Sequence, residues 1–219
     1  MVHDNETIQT DDNSELENQD WPNLNKYKKD NYELSCNQNT GKRIVFMGDS
    51  ITEGWSNLYP KFFQNKEHIN RGISGQTSPQ MLIRFRADVI DLKPKTVVIL
   101  AGINDIAENT GPSNVKMITD NIFSMADLAK TSGIKIVLSS ILPAFEFPWK
   151  KIPDAPAFIN DVNSVIKKYC EVKSFRYVDY YTSMADERKG LRESLSEDGV
   201  HPNFEGYEIM STIVNDILY

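Results

Sequence analysis

Four short stretches of this 219-residue chain carry residue types that acyl transfer needs. The first is RIVFMGDSITEGW, residues 43–55, where Ser50 stands just past the apolar run 44–47 that reads as a buried strand. Gly48 stops that run, and Asp49, Ser50 and Thr52 supply the polar residues that lead into a helix. A serine in this place either caps the helix or acts as a nucleophile at a sheet edge where backbone N–H groups converge; the stretch alone fits both uses. The second is RGISGQT, with Gly75 in the turn after a strand beginning at His68. The third is TVVILAGIND, where Asn104 follows a continuous apolar run by way of Gly102. The fourth is EDGVHP, which sets Asp198 three residues before His201.

A serine hydroxyl is a weak nucleophile at neutral pH and needs a base beside it. Of three histidines, His3 lies in an acidic leader and His68 in a predicted strand, where it reads as structural, so His201 is the candidate. Asp198 is placed to orient the imidazole, with a plain turn-capping use as the other reading. Pro202 keeps His201 out of helical geometry and lets a helix start beyond it. Paired carboxylates of a glycosidase would leave the serine, glycine and asparagine without a purpose. GDSITEG lacks the lysine and spacing of a P-loop, no GxGxxG follows a strand, and no His/Cys/Asp cluster has ligand spacing. The expectation is therefore an enzyme with no cofactor and no metal.

Ser, Gly, Asn and His in this order, with Asp49 ahead of the serine and Asp198 ahead of the histidine, resemble the SGNH hydrolases of the GDSL esterase/lipase family, over about residues 42–219. GDSI stands where the family name has GDSL, a conservative apolar change at Ile51. The resemblance implies a three-layer α/β/α fold and a serine esterase working through an acyl-enzyme. It implies Ser50, His201 and Asp198 as catalytic residues, and an oxyanion hole made by the N–H of Ser50, the N–H of Gly75 and the side-chain amide of Asn104. Asp49 and Asp105 are left as residues that hold turns. GDSITEGW and NRGISGQT are similar to bacterial members resembling platelet-activating-factor acetylhydrolases and carbohydrate acetylesterases, which implies short acyl groups, acetyl above all, on a small-molecule or oligosaccharide ester. A lysophospholipase or thioesterase is the alternative within the family, and would need a longer apolar groove. A non-catalytic carbohydrate-binding relative is the alternative outside enzymes, and the complete set of site residues speaks against it.

The elements that must position these residues alternate strand and helix, which predicts a parallel sheet with helices on both faces. Five strands joined by right-handed crossovers lead to the flavodoxin-like order 2-1-3-4-5, with ligands bound beyond the carboxyl ends of the strands. Trp55, Leu58, Tyr59, Phe62 and Phe63 form an aromatic stripe at helical spacing that reads mostly as core, with Trp55 and Tyr59 close enough to Ser50 in sequence to be substrate-binding walls. Trp149 is the third candidate wall, in a proline-rich loop, 141–156, whose Phe145, Phe147 and Trp149 either face a sugar or cover the core. Residues 1–20 read as a disordered acidic tail and 21–41 as an arm or short helix over about 21–33, from the spacing of Trp21, Leu24 and Tyr27. The formal net charge of −7 argues against nucleic acid and anionic membranes as partners. No apolar run approaches the roughly 20 residues that span a bilayer, and the acidic start is not a signal peptide, so the chain reads as soluble, with export left open. Cys36 and Cys170 read as independent thiols, with a disulfide between them as the other reading.

Overall fold

A computed structural model describes residues 20–37 and 41–219 of the protein; the expected tail over 1–20 falls outside them except for Asp20. Strands β1 (Ile44–Gly48), β2 (His68–Gly72), β3 (Thr96–Ile99), β4 (Lys135–Ser139) and β5 (Arg176–Val178) form one parallel sheet in the order β2-β1-β3-β4-β5. This is the order read from the sequence. Every residue of β1 and β3 is buried, as continuous apolar runs require of strands covered on both faces. Gly48 pairs with Gly72 and Met47 with Ile99, so β1, β2 and β3 end level and their following loops open at one edge.

The helices are α1 (Lys28–Cys36), α2 (Ser50–Leu58), α3 (Ser78–Asp88), α4 (Ile103–Ile106), α5 (Val115–Thr131), α6 (Ala155–Lys173), α7 (Tyr180–Met184) and α8 (Phe204–Leu218). Right-handed crossovers put α2 on one face, where it meets α8, and α3, α5 and α6 side by side on the other. On the α2 side, Phe46 of β1 meets Trp55, Phe62 and Phe63 edge-on, with ring centroids 5.8, 5.2 and 5.5 Å away. Trp55 in turn stacks on Phe62 and on Tyr207 of α8. Aromatic pairs of this kind add about 0.5–1.5 kcal/mol each beyond the area they bury, so this cluster fixes α2 to the sheet and to α8.

Two expectations move, and two short helices are added. The aromatic stripe over 55–63 is not one helix: Pro60 ends α2, and 60–64 forms a 3₁₀ turn that brings Phe62 inward while Leu58 stays exposed. The arm does not start its helix at Trp21. Asn23 is left-handed (φ 57°), the Asp20 carboxylate takes the N–H of Asn25, and the carbonyls of Trp21 and Pro22 accept from Gln80 and Gln76 side chains instead of from a following turn. Helix α1 therefore begins only at Lys28. The one-turn helices α4 and α7 are too short to show an apolar period. Cys36 is exposed, Cys170 buried, and both are free. Among the described residues, no helix is long and apolar enough to cross a membrane.

Candidate active site

Helix α2 opens at Ser50, but its cap is the residue before: the Asp49 carboxylate accepts from the N–H of Ile51 at 3.0 Å. The hydroxyl of Ser50 is thus not spent on capping and lies 2.9 Å from Nε2 of His201. Gly48 lets this first turn press against the strand end, since a Cβ there would stand 2.0 Å from Oγ1 of Thr52. On the far side of the ring, Nδ1 of His201 lies 2.6 Å from Oδ2 of Asp198. Oδ1 of Asp198 accepts from the N–H groups of Val200 and His201 at 2.9 and 2.8 Å, so the two readings of this carboxylate, turn holder and orienting group, hold together. The Ser196 hydroxyl donates to the His201 carbonyl at 2.7 Å and accepts from the N–H of Gly199, closing the loop. Burial works to raise the Asp198 carboxyl, but the His201 amide and ring and the Val200 amide outweigh it and hold it at about 2. As a carboxylate it only accepts, so the neutral ring presents Nδ1–H to it and keeps the Nε2 lone pair for Ser50. This arrangement can take the hydroxyl proton as an acyl carbon is attacked.

Asn104, in the single turn of α4, is buried, and both ends of its amide are fixed. Nδ2 donates to the Gln76 carbonyl at 3.0 Å, and Oδ1 accepts from Nδ2 of Asn109 at 3.0 Å. Among the described residues its second amide hydrogen has no acceptor. Asn109 also reaches the carbonyl of Gly75 at 3.3 Å. Gly75 itself sits at φ 76°, with nothing within 4 Å of where a Cβ would stand; the turn requires glycine, and its backbone is open to a ligand. Below this loop, Arg84 of α3 is fully buried and every arm of its guanidinium is used. It donates to the carbonyls of Gly48 and Arg71, both at 2.9 Å, to Oε1 of Gln76 at 2.5 Å, and pairs with Asp88 at 2.8 Å. One side chain therefore ties the ends of β1 and β2 to the Gly75 loop. Asp105 accepts from the N–H and hydroxyl of Ser78 and so joins α4 to α3. Asp49 is wholly buried with Oδ2 unpartnered, and burial pushes its carboxyl up to about 7 against the pull of the Ile51 amide and of His201. Both aspartates hold turns, as the sequence suggested.

Of the candidate walls, Trp149 reaches the site: its half-exposed ring lies 6.0 Å from that of His201. In the same loop Phe145 is half exposed, with the Arg188 guanidinium 5.3 Å over its face. Trp55 corrects the expectation. It is 2% exposed, its indole N–H donates to Ser211, and its faces are taken by Phe62 and Tyr207, so the helix carries it into the core and away from Ser50. Tyr59 is also turned elsewhere: it packs on Phe204, reaches toward Glu208, and lines a hollow of about 750 Å³ shared with His68 and Tyr219. His68, at the opposite end of β2 from the Gly75 loop, is structural, bonded to the Phe62 carbonyl and the Tyr219 hydroxyl. The residues not foreseen are Arg84, Asn109 and Ser196. Arg84 left a signal, an arginine on the buried face of Met81, Phe85 and Asp88. Asn109 and Ser196 left none, since both lie in irregular backbone.

Residues 46–209 match the GDSL-like Lipase/Acylhydrolase family, and the chain belongs to it; its class is that of the esterases and acylhydrolases. The crystal structure of a GDSL-like lipase from Bacteroides thetaiotaomicron VPI-5482 superposes with a TM-score of 0.88 at 47% identity, over 90% of this chain and 98% of that one. Lipoprotein YqeF of Bacillus subtilis is 32% identical over 120 residues, a match that spans 47% of this chain and only 49% of that protein. Acetylxylan esterase of Geobacillus stearothermophilus is 23% identical over 202 residues, 78% of this chain and 91% of that one.

Proposed function

We propose that this chain is a serine esterase that removes short acyl groups, acetyl foremost, from a carbohydrate alcohol by way of an acyl-enzyme. The observation that carries the reading is the line Ser50 Oγ, His201 Nε2, His201 Nδ1, Asp198 Oδ2, with 2.9 and 2.6 Å at its two contacts. In the reaction Ser50 attacks the ester carbonyl as its proton passes to Nε2 of His201, and Asp198 stabilises the imidazolium. The charge on the carbonyl oxygen falls to the N–H groups of Ser50 and Gly75 and the spare amide hydrogen of Asn104. Collapse expels the alcohol, which takes the proton from His201. Water, activated by the same base, then frees the acid and restores Ser50.

Two things support the acetyl-carbohydrate version. Trp149 offers a half-exposed aromatic face beside His201, where a sugar ring stacks well. A family relative is named an acetylxylan esterase. A panel of p-nitrophenyl esters of increasing chain length, run beside acetylated xylo-oligosaccharides and with Ser50→Ala as control, tests both parts. The expected result is a rate highest for acetate, release of acetate from the oligosaccharides, and no activity in Ser50→Ala. A rate that climbs steadily to long acyl chains would replace this reading with a lysophospholipase or thioesterase.

A further inference from the structure

The family match starts at residue 46 and so gives no role to the arm ahead of the sheet. Polar contacts of that arm gather around residues 72–76, the end of β2 and the loop that carries Gly75, with others on Gln80 and Asp88 of α3. The Tyr27 hydroxyl donates to the carbonyl of Gly72. The carbonyl of Pro22 accepts from Nε2 of Gln76 at 2.7 Å. Lys26 pairs with Oε1 of Glu53, and Oε2 of the same carboxylate accepts from the N–H and the hydroxyl of Ser74 at 2.6 and 2.5 Å. Behind these, Asn31 is held by Arg71 and donates to Asp88, and the Arg71 guanidinium lies 4.5 Å over the Tyr27 ring.

The loop is thus clamped from two sides. Arg84 grips Gln76 Oε1 from within; from outside the arm grips Gly72 and Gln76 directly, and Ser74 through Glu53 of α2, which Lys26 pairs. An oxyanion donor lowers the barrier only if it is fixed before the charge develops, and a misplacement of about 1 Å costs about 10²-fold in rate. Gly75, left-handed and bare of neighbours at its Cβ position, has no side chain of its own to hold it. We propose that arm residues 20–31 are a positioning element of the active site: they fix the loop 72–76 so that the N–H of Gly75 stays aimed at the reacting carbonyl oxygen. The proposal rests on the esterase reading above. It also separates catalysis from stability, because the Lys26–Glu53 pair is partly exposed and pairs of that kind add little to folding.

The test is the Lys26→Met/Tyr27→Phe double variant of the full chain, which removes two holds and keeps the aromatic ring on Arg71. Steady-state rates on p-nitrophenyl acetate are to be read beside hydrogen exchange at the amides of residues 72–76. The expected result is kcat lowered about tenfold or more, KM within about twofold, and faster exchange at Gly75. Lys26→Arg alone should keep the wild-type rate. Faster exchange with unchanged kcat would overturn the proposal, since the arm would then steady the loop without serving the reaction. Unchanged exchange would overturn it as well. A wild-type chain inert to both ester and phosphonate would bring down the esterase reading itself, a failure visible before any substitution is made.

Discussion

At the scale of single residues, the proposed mechanism separates groups that would meet the substrate from groups that hold them. Asn104 is the clearest of the first kind, with one amide hydrogen anchored on Gln76 and the other unspent. Asn104→Ala should lower kcat by about 10²–10³ with a much smaller change in KM, because the bond is made mainly in the transition state. Steady-state kinetics decide this, and a tenfold rise in KM at unchanged kcat would make it a ground-state contact instead. Asp49 is of the second kind, and its burial has a thermodynamic signature. Its folded carboxyl stands at about 7, above the ordinary value near 3.9, so between those two pH values the folded state binds the proton and the unfolded state does not. Its contribution to stability is therefore lost as pH rises from about 4 to about 7. Asp49→Asn keeps the acceptor for Ile51 and removes the titration. Urea unfolding should show the variant gaining on the wild type across that range, and a constant difference would mean that Asp49 is charged in the fold.

Elements turn these residues into a site. The level ends of β1, β2 and β3 deliver Ser50, Gly75 and Asn104 to one edge, and Arg84 ties two of those strand ends together. Arg84→Met takes the buried cation from Asp88 and one donor from each of three further acceptors, the carbonyls of Gly48 and Arg71 and Oε1 of Gln76, so it should destabilise by about 3–5 kcal/mol in denaturant titration. Arg84→Met with Asp88→Leu should recover part of that loss; no recovery would mean that the carbonyl bonds, and not the ion pair, dominate. On the proposed function, the loop before α6 serves through the face of Trp149 beside His201. Trp149→Ala should raise KM for acetylated xylo-oligosaccharides several-fold and leave p-nitrophenyl acetate nearly unchanged, a contrast that follows from a ring that touches the sugar and not the acyl group. Equal effects on both substrates would assign Trp149 to supporting His201.

Across the whole molecule, the sheet order was legible in the alternation of runs such as IVFMG and TVVIL with amphipathic helices, and the edge where ligands bind followed from it. Ser50, Gly75, Asn104, Asp198 and His201 stood out because they follow strand ends or precede a proline and match in order the pattern of the family the chain resembles, and the fold brings Ser50, His201 and Asp198 into contact. What stayed hidden depends on direction in space. Trp55 is five residues from Ser50, yet the turn of α2 points it at Phe46 and Tyr207, and neighbourhood in sequence says nothing about which face of a helix meets the core. The arm helix was placed too early because Trp21, Leu24 and Tyr27 have helical spacing, while the carbonyls of Trp21 and Pro22 are claimed by side chains more than fifty residues away. Asn109 was invisible for the same reason: its partners Asn104 and Gly75 meet only once the sheet is formed.

The central claim is that Ser50, charged by His201, attacks the substrate. The most direct measurement is peptide mapping by mass spectrometry after treatment of the full chain with an activated organophosphonate. One adduct on the peptide containing Ser50, lost in Ser50→Ala and formed far more slowly in His201→Ala, is the predicted result. An adduct on Thr52 or Ser56, or no adduct on a preparation that is hydrolysing p-nitrophenyl acetate, would contradict it.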